Sequence, residues 1–81
     1  MKTLVGEVVL GGTFKIDRRT YTVIKECKVP EALAADLGVV GQHIVEGARG
    51  ATYLVQTFKD GGFRAIGAGG VSFSGRLEKS T

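Results

Sequence analysis

Apolar and polar residues alternate over residues 13–29, TFKIDRRTYTVIKECKV, in the pattern of a strand with one buried face. A loop at Asp17 to Thr20 would fold this segment into a β-hairpin. The apolar face of that hairpin would hold two cross-strand pairs, Ile16 with Tyr21 and Phe14 with Val23. The segment therefore predicts two antiparallel strands of a half-buried sheet, with Arg18 and Arg19 at the hairpin tip.

Two further segments have strand character. The β-branched run LVGEVVL at 4–10 ends at the turn signal Gly11-Gly12, so it predicts a strand that precedes the hairpin. Near the other end of the chain, GVSFSGRL at 70–77 places Val71 and Phe73 on one face and serines on the other. That alternation predicts a last strand.

Residues 51–58 fit two templates. Their apolar residues recur at helical spacing, whereas the run TYLVQTF is rich in β-branched and aromatic residues. The strand is favoured, because the turn signal KDGG follows at 59–62 and the apolar run FRAI resumes beyond it, with Phe58 opposite Phe63. The helical alternative stays open from the sequence alone.

One short helix is predicted at residues 30–37. Pro30 suits the first turn, Glu31 complements the positive end of the helix, and Gly38 can take the left-handed conformation that closes it. Leu33 and Leu37 lie four residues apart and form an apolar stripe that should pack on the sheet.

These elements predict a mainly β fold: a small, strongly bent antiparallel sheet or partly open barrel of about six strands with one short helix. A chain of 81 residues with 43% apolar and 23% charged residues is expected to form a single globular domain, 1–81, with a frayed tail at LEKST. At this size, a homodimer that buries a sheet edge or an apolar face is also a reasonable expectation.

The sequence lacks the residues that most catalytic and metal sites need. One cysteine, Cys27, and one histidine, His43, form neither a disulfide nor a zinc-ligand set; we expect Cys27 to be a packing residue and His43 to lie in a surface loop. The glycine-rich GFRAIGA at 62–68 lacks the lysine and hydroxyl residue of a phosphate-binding loop. We therefore expect no catalytic residues, no metal, no cofactor and no enzymatic activity. No apolar run is long enough to span a bilayer, which predicts a cytoplasmic protein without a membrane partner.

Charge directs attention to a basic surface. The net charge is +3, and two basic arms flank an acidic centre at residues 29–48. If the arms pair in one sheet, they form a face that could bind an acidic protein or a phosphate backbone. The candidate residues of this face are Lys15, Arg18, Arg19, Lys25, Arg49 and Arg64, with Tyr21, Tyr53 and Phe63 as candidate stacking platforms.

A second candidate is the GARG stretch at 47–50, which has the GxxG spacing of KH-type nucleic-acid modules, where Gly47 and Gly50 would form a backbone clamp. That interpretation requires residues 51–58 to be helical. The leading functional hypothesis is a non-enzymatic binding or regulatory module that contacts another protein through a sheet edge or a hairpin tip. A basic nucleic-acid-binding barrel is the alternative, and a small enzyme is the least favoured.

Overall fold

A computed structural model describes residues 2–78 and folds them into a closed barrel of seven strands. The strands are β1 (Lys2–Gly6), β2 (Thr13–Ile16), β3 (Arg19–Cys27), β4 (Val39–Glu46), β5 (Thr52–Phe58), β6 (Gly62–Gly67) and β7 (Ser72–Glu78). One helix, α1 (Glu31–Leu37), connects β3 to β4, and short 3-10 turns occupy Ala48–Gly50 and Ala68–Gly70. The expected small β-rich barrel with one short helix is thus confirmed. The expected frayed tail at 77–81 is wrong for Leu77 and Glu78, which belong to β7 and pair with β1, and its other residues lie outside the described residues.

The strand that the sequence pattern did not predict is β4, which raises the count from six to seven. Its alternation is obscured by polar residues in the middle: Gln42 and His43 are only 8% and 7% exposed. The Gln42 side chain donates to the carbonyl of Lys28 and accepts from Gln56 Nε2, each at 2.9 Å. Because these bonds satisfy the buried amides, polar residues can occupy a strand whose sequence does not look amphipathic.

Consecutive strands pair antiparallel, and the barrel closes where β1 pairs parallel with β7. Closure depends on a close approach at Gly75: a Cβ at this position would overlap the carbonyl oxygen of Lys2. Every strand therefore has a hydrogen-bonded neighbour on both sides, and the ladder leaves no free edge among the described strands. A partner that binds by adding a strand to a free sheet edge therefore finds no such edge among the described strands.

The register of both predicted hairpins differs from expectation. The β2–β3 turn holds two residues instead of four, so Ile16 lies opposite Arg19 and Phe14 opposite Tyr21. The two turn residues, Asp17 and Arg18, both have positive φ, which matches the twist of a two-residue hairpin. Residues 51–58 form a strand, as favoured, but in the β5–β6 hairpin Phe63 pairs with Thr57 rather than with Phe58.

The inward faces of the strands form one apolar core. Its buried members are Leu4, Phe14, Ile16, Tyr21, Val23, Val45, Val55, Phe63 and Ala65. The helix adds little to it. Gly38 closes α1 with φ 73, as expected. Leu33 is half-buried, whereas Leu37 is 57% exposed, so the predicted packing on the sheet is wrong for Leu37. The two leucines could not be distinguished by spacing alone.

Candidate binding site at one end of the barrel

Three connections lie together at one end of the barrel, which we call the basic end: the β2–β3 turn at 17–18, the β4–β5 loop at 47–51 and the β6–β7 loop at 67–71. Alternating strand directions bring these loops to the same side. Arg18, Arg19 and Arg49 lie here, and all three are exposed. Lys2 also reaches this end, where its Nζ is 2.5 Å from Asp17 Oδ2. Within residues 2–78 no carboxylate is paired with any of the three arginines.

Tyr21 and Tyr53 form the wall beneath the arginines. Each ring packs against a glycine, because the missing side chain leaves room for it. A Cβ on Gly47 would lie 3.0 Å from Tyr21 Cε2, and a Cβ on Gly67 would lie 2.9 Å from Tyr53 Cε2. Each ring therefore covers the bare backbone of the next strand, a known way of stabilising glycine in a sheet. The rings also contact each other edge to face, with centroids 5.7 Å apart, and Tyr21 stacks on Phe14 at 5.5 Å. The tyrosines are thus fixed in position.

The arginines and tyrosines enclose a shallow pocket. Arg19, Tyr21, Ala48, Arg49 and Tyr53 line a cavity of about 360 Å³. A neighbouring cavity of about 330 Å³ shares Arg19 and both tyrosines. Guanidinium groups and phenol hydroxyls all donate hydrogen bonds to oxyanions, and the planar guanidinium can bind a carboxylate or a phosphate through two parallel bonds. The pocket therefore has the chemistry of an anion site.

The ionisation of Tyr21 fits this chemistry. Burial raises the pKa of Tyr21 above its ordinary value of 10.0, and the adjacent Tyr53 raises it further, while Arg19 and Lys2 oppose the shift. The cause is that a phenolate is poorly solvated beneath the barrel rim. A phenol is protonated at neutral pH even at its ordinary pKa, and the upward shift keeps Tyr21 a neutral donor beside Arg19 to higher pH.

The backbone of the basic end is strained at its charged residues. Among residues 2–78, the only non-glycine residues with positive φ are Asp17, Arg18 and Arg49, at 52°, 70° and 62°. All three lie in the connections of this end. At the two arginines the left-handed conformation costs about 1 kcal/mol or more each, whereas aspartate adopts it more readily. Strained residues of this kind concentrate at functional sites.

The β6–β7 loop shows that glycine is compatible with the same geometry. GARGA at 47–51 and GAGGV at 67–71 have the same backbone shape, with the first N–H donating to the fifth carbonyl at 2.7 and 2.6 Å. Gly69, with φ 82, takes the position that Arg49 takes in the first loop. The first loop therefore has Arg49 at a position that glycine fits without strain. This likeness between the loops was visible in the sequence, but the sequence did not reveal that they adjoin.

Half of the six predicted basic residues do not come together with the others. Lys15 lies on the outer wall opposite Val5 and Thr20, and Lys25 opposite Ile44. Arg64 is on the outer wall too, between Gln56 and Ser74. The basic arms thus do not form one face; only Arg18, Arg19 and Arg49 share a site. The sequence analysis missed Lys2, whose position near the β2–β3 turn results from barrel closure.

The proposed KH-like clamp is not supported by the local structure. Gly47 and Gly50 flank a loop between two strands, β4 and β5, whereas the KH interpretation needed a helix over residues 51–58. The N–H of Gly47 already donates to the carbonyl of Ala51 at 2.7 Å. The role of Gly47 is to accommodate the Tyr21 ring.

The residues considered for catalysis lie elsewhere. His43 is not in a surface loop but buried in β4, with Nε2 3.5 Å from Glu26 Oε2 and with Nδ1 lacking a partner among the described residues. Cys27 is half-buried at the end of β3. In residues 2–78, no three His, Cys, Asp or Glu side chains are grouped to hold a metal ion. The helix of this part of the chain is also too short to cross a bilayer.

Comparisons with protein-family models, with curated proteins and with solved structures find no match to this chain. Any functional assignment must therefore come from the residues and their arrangement.

Proposed function

We propose that the protein is a non-enzymatic interaction module whose basic end binds an acidic segment of another protein. The observation that carries this proposal is the convergence of Arg19 and Arg49 with Tyr21 and Tyr53 around one pocket. Carboxylate side chains of a partner would accept hydrogen bonds from the guanidinium groups and the phenol hydroxyls. The single cysteine supports a reducing, cytoplasmic setting for this role.

An acidic protein segment fits this end better than a nucleic acid does. Binding of single strands normally uses exposed aromatic faces and a basic groove that follows several phosphates. Here Tyr21 is 5% exposed and Phe63 only 1%, so neither ring is free to stack on a base. Of the three predicted platforms only Tyr53, which is half-buried, has an accessible part. Lys25 and Arg64 lie on the outer wall, apart from the basic end, and Lys15 lies on the outer wall next to the β2–β3 turn. The charge is therefore concentrated in a site suited to one or two carboxylates.

Titration of a labelled glutamate-rich peptide, followed by fluorescence anisotropy at low and high salt, tests the proposal. The double variant Arg19→Gln/Arg49→Gln should weaken binding about tenfold or more, because each hydrogen bond to a charged group contributes about 1.5–3 kcal/mol. The matched control is Lys25→Gln/Arg64→Gln, which removes the same charge from the outer wall away from the basic end. It should retain most of the affinity.

Equal losses in the two double variants would contradict the proposal, since binding would then depend on net charge alone. An oligothymidine of matched charge should bind more weakly than the peptide. Tighter binding of the oligothymidine, with an affinity that falls steeply with salt, would instead favour the nucleic-acid alternative.

A further inference from the structure

The two ends of the barrel differ in charge. The end opposite the basic end, which we call the acidic end, is formed by the β1–β2 loop at 7–12, the β3–β4 connection at 28–38 and the β5–β6 turn at 59–61. Its described carboxylates outnumber its basic residues. The carboxylates are Glu7, Glu31, Asp36 and Asp60 in the connections and Glu26 and Glu78 on the adjoining strand ends, and the basic residues are Lys28 and Lys59 in the connections and Lys25 and Arg76 on those strands. A charge asymmetry along the barrel axis therefore accompanies the modest net charge.

The acidic end holds a cavity of about 600 Å³. Its walls combine apolar side chains with polar ones, and two carboxylates, Glu7 and Glu78, stand beside one lysine, Lys59, among its lining residues. Val9 and Val40, which belong to the wall, are 50% and 63% exposed. Apolar walls next to carboxylates suit a side chain with an apolar stem and a cationic head, which is the character of arginine.

Such arginines are present at the other end of the same molecule. Arg18 and Arg49 stand on the tips of the β2–β3 turn and the β4–β5 loop, in strained conformations and without a carboxylate partner in residues 2–78. The two ends are thus complementary in charge: exposed arginines stand on the loops of one end, and two carboxylates line a cavity at the other. No contact within a single barrel can join them.

We propose that the protein associates with itself head to tail, with the basic end of one copy docked on the acidic end of the next. Arg18 or Arg49 would enter the cavity beside Glu7 and Glu78. This inference rests on the proposed function, because it names the acidic partner as a second copy of the chain. A contact between two different surfaces is heterologous, so repeated association gives a ring or an open filament rather than a symmetric dimer.

Sedimentation velocity at low and high salt tests this proposal with two variants, each blocked at one end. Arg18→Gln/Arg49→Gln disables the basic end, and Glu7→Gln/Glu78→Gln disables the acidic end. The unmodified chain should form species larger than the 8.5 kDa monomer at low salt and dissociate at high salt. Each blocked variant alone should stay monomeric. An equimolar mixture should form a dimer and nothing larger, because the mixture has only one functional interface per pair.

A matched control distinguishes docking in the cavity from a general attraction to the negative charge of the acidic end. Glu31→Gln/Asp36→Asn removes the same charge from α1, outside the cavity lining, and should still associate. Loss of association equal to that of Glu7→Gln/Glu78→Gln would overturn the assignment to the cavity. Association that persists in both blocked variants would also overturn it.

The outcome can be distinguished from failure of the proposed function. If the unmodified chain stays monomeric at all salt concentrations but still binds the glutamate-rich peptide through Arg19 and Arg49, self-association is refuted and the proposed function stands. If the chain associates head to tail but does not bind the peptide, the basic end recognises only its own copy, and the wider proposal fails. If it does neither, both fail.

Discussion

Replacing Arg18 with glycine should make the barrel more stable while weakening association at the basic end. Arg18 has φ 70, in the region where a Cβ is crowded by the backbone, and this conformation costs a non-glycine residue about 1–2 kcal/mol. Glycine removes that cost but loses more conformational freedom on folding, an offset of about 0.5–1 kcal/mol. The expected net gain is about 0.5–1 kcal/mol, or about 2–8 °C in Tm for a chain of this length.

Glycine should also be favourable at the second strained arginine, Arg49, because another loop of the chain already has glycine at the equivalent position. Gly69 holds the equivalent position of the β6–β7 loop with φ 82, so Arg49→Gly converts one loop into the form that the chain already uses elsewhere. The two gains should add, provided that the loops do not share contacts. Arg49→Gly alone should therefore stabilise the fold by a similar amount.

Thermal unfolding followed by circular dichroism, with urea denaturation to check that the slope is unchanged, measures the effect. The control is Arg18→Ala, which removes the same charge but keeps a Cβ in the left-handed conformation. Both variants should lose head-to-tail association equally, whereas only the glycine variant should gain stability. A glycine variant no more stable than the alanine variant would show that the turn is not strained, and the inference from strain to function would be wrong.

Two further predictions concern the fold. Because burial raises the pKa of Tyr21, the folded state favours the neutral form of its side chain. The free energy of unfolding should therefore hold below about pH 10 and fall as pH rises through the raised pKa. Tyr21→Phe should flatten that fall when it is measured by urea denaturation, and an unchanged pH profile would contradict the assignment. Gly75→Ala should destabilise the barrel by about 2 kcal/mol or more, since its Cβ overlaps the Lys2 carbonyl at the closure of β1 on β7. The exposed neighbour Ser74→Ala is the control, and equal stability of the two variants would refute the role of Gly75.

Much of the fold was predictable because local patterns decided it. The hairpins, the helix with its closing Gly38 and the strand at 52–58 all follow from periodicity and turn residues close in sequence. The register of the β2–β3 hairpin was not predictable, because Arg18 occupies the position where a two-residue turn with positive φ usually has glycine. β4 was missed because its buried Gln42 accepts a hydrogen bond from Gln56 of the neighbouring strand, a contact that the sequence pattern does not show.

The site was less predictable than the fold. Sequence identified the basic residues but could not assign them to ends or walls, since this depends on how the barrel closes. Arg18, Arg19 and Arg49 lie at one end because every second connection between consecutive antiparallel strands lies at that end. Lys15 and Arg64 went to the outer wall because strand residues face outward at every second position. The acidic centre at 29–48 supplied two carboxylates of the acidic end, Glu31 and Asp36, but the others could not be assigned to it because they belong to distant segments of the chain.

A closed barrel has no free strand edge, so its contacts with other molecules must use the outer wall or the ends. The wall residues are fixed by the hydrogen-bonded ladder, whereas the end loops can hold side chains in strained conformations. This chain places glycine at the tip of its β6–β7 loop, yet it has arginine at Arg18 and Arg49, where glycine would be more stable. Strain of this kind is explained if the guanidinium groups are needed at those tips. Opposite signs for stability and association in the glycine variants would establish that explanation.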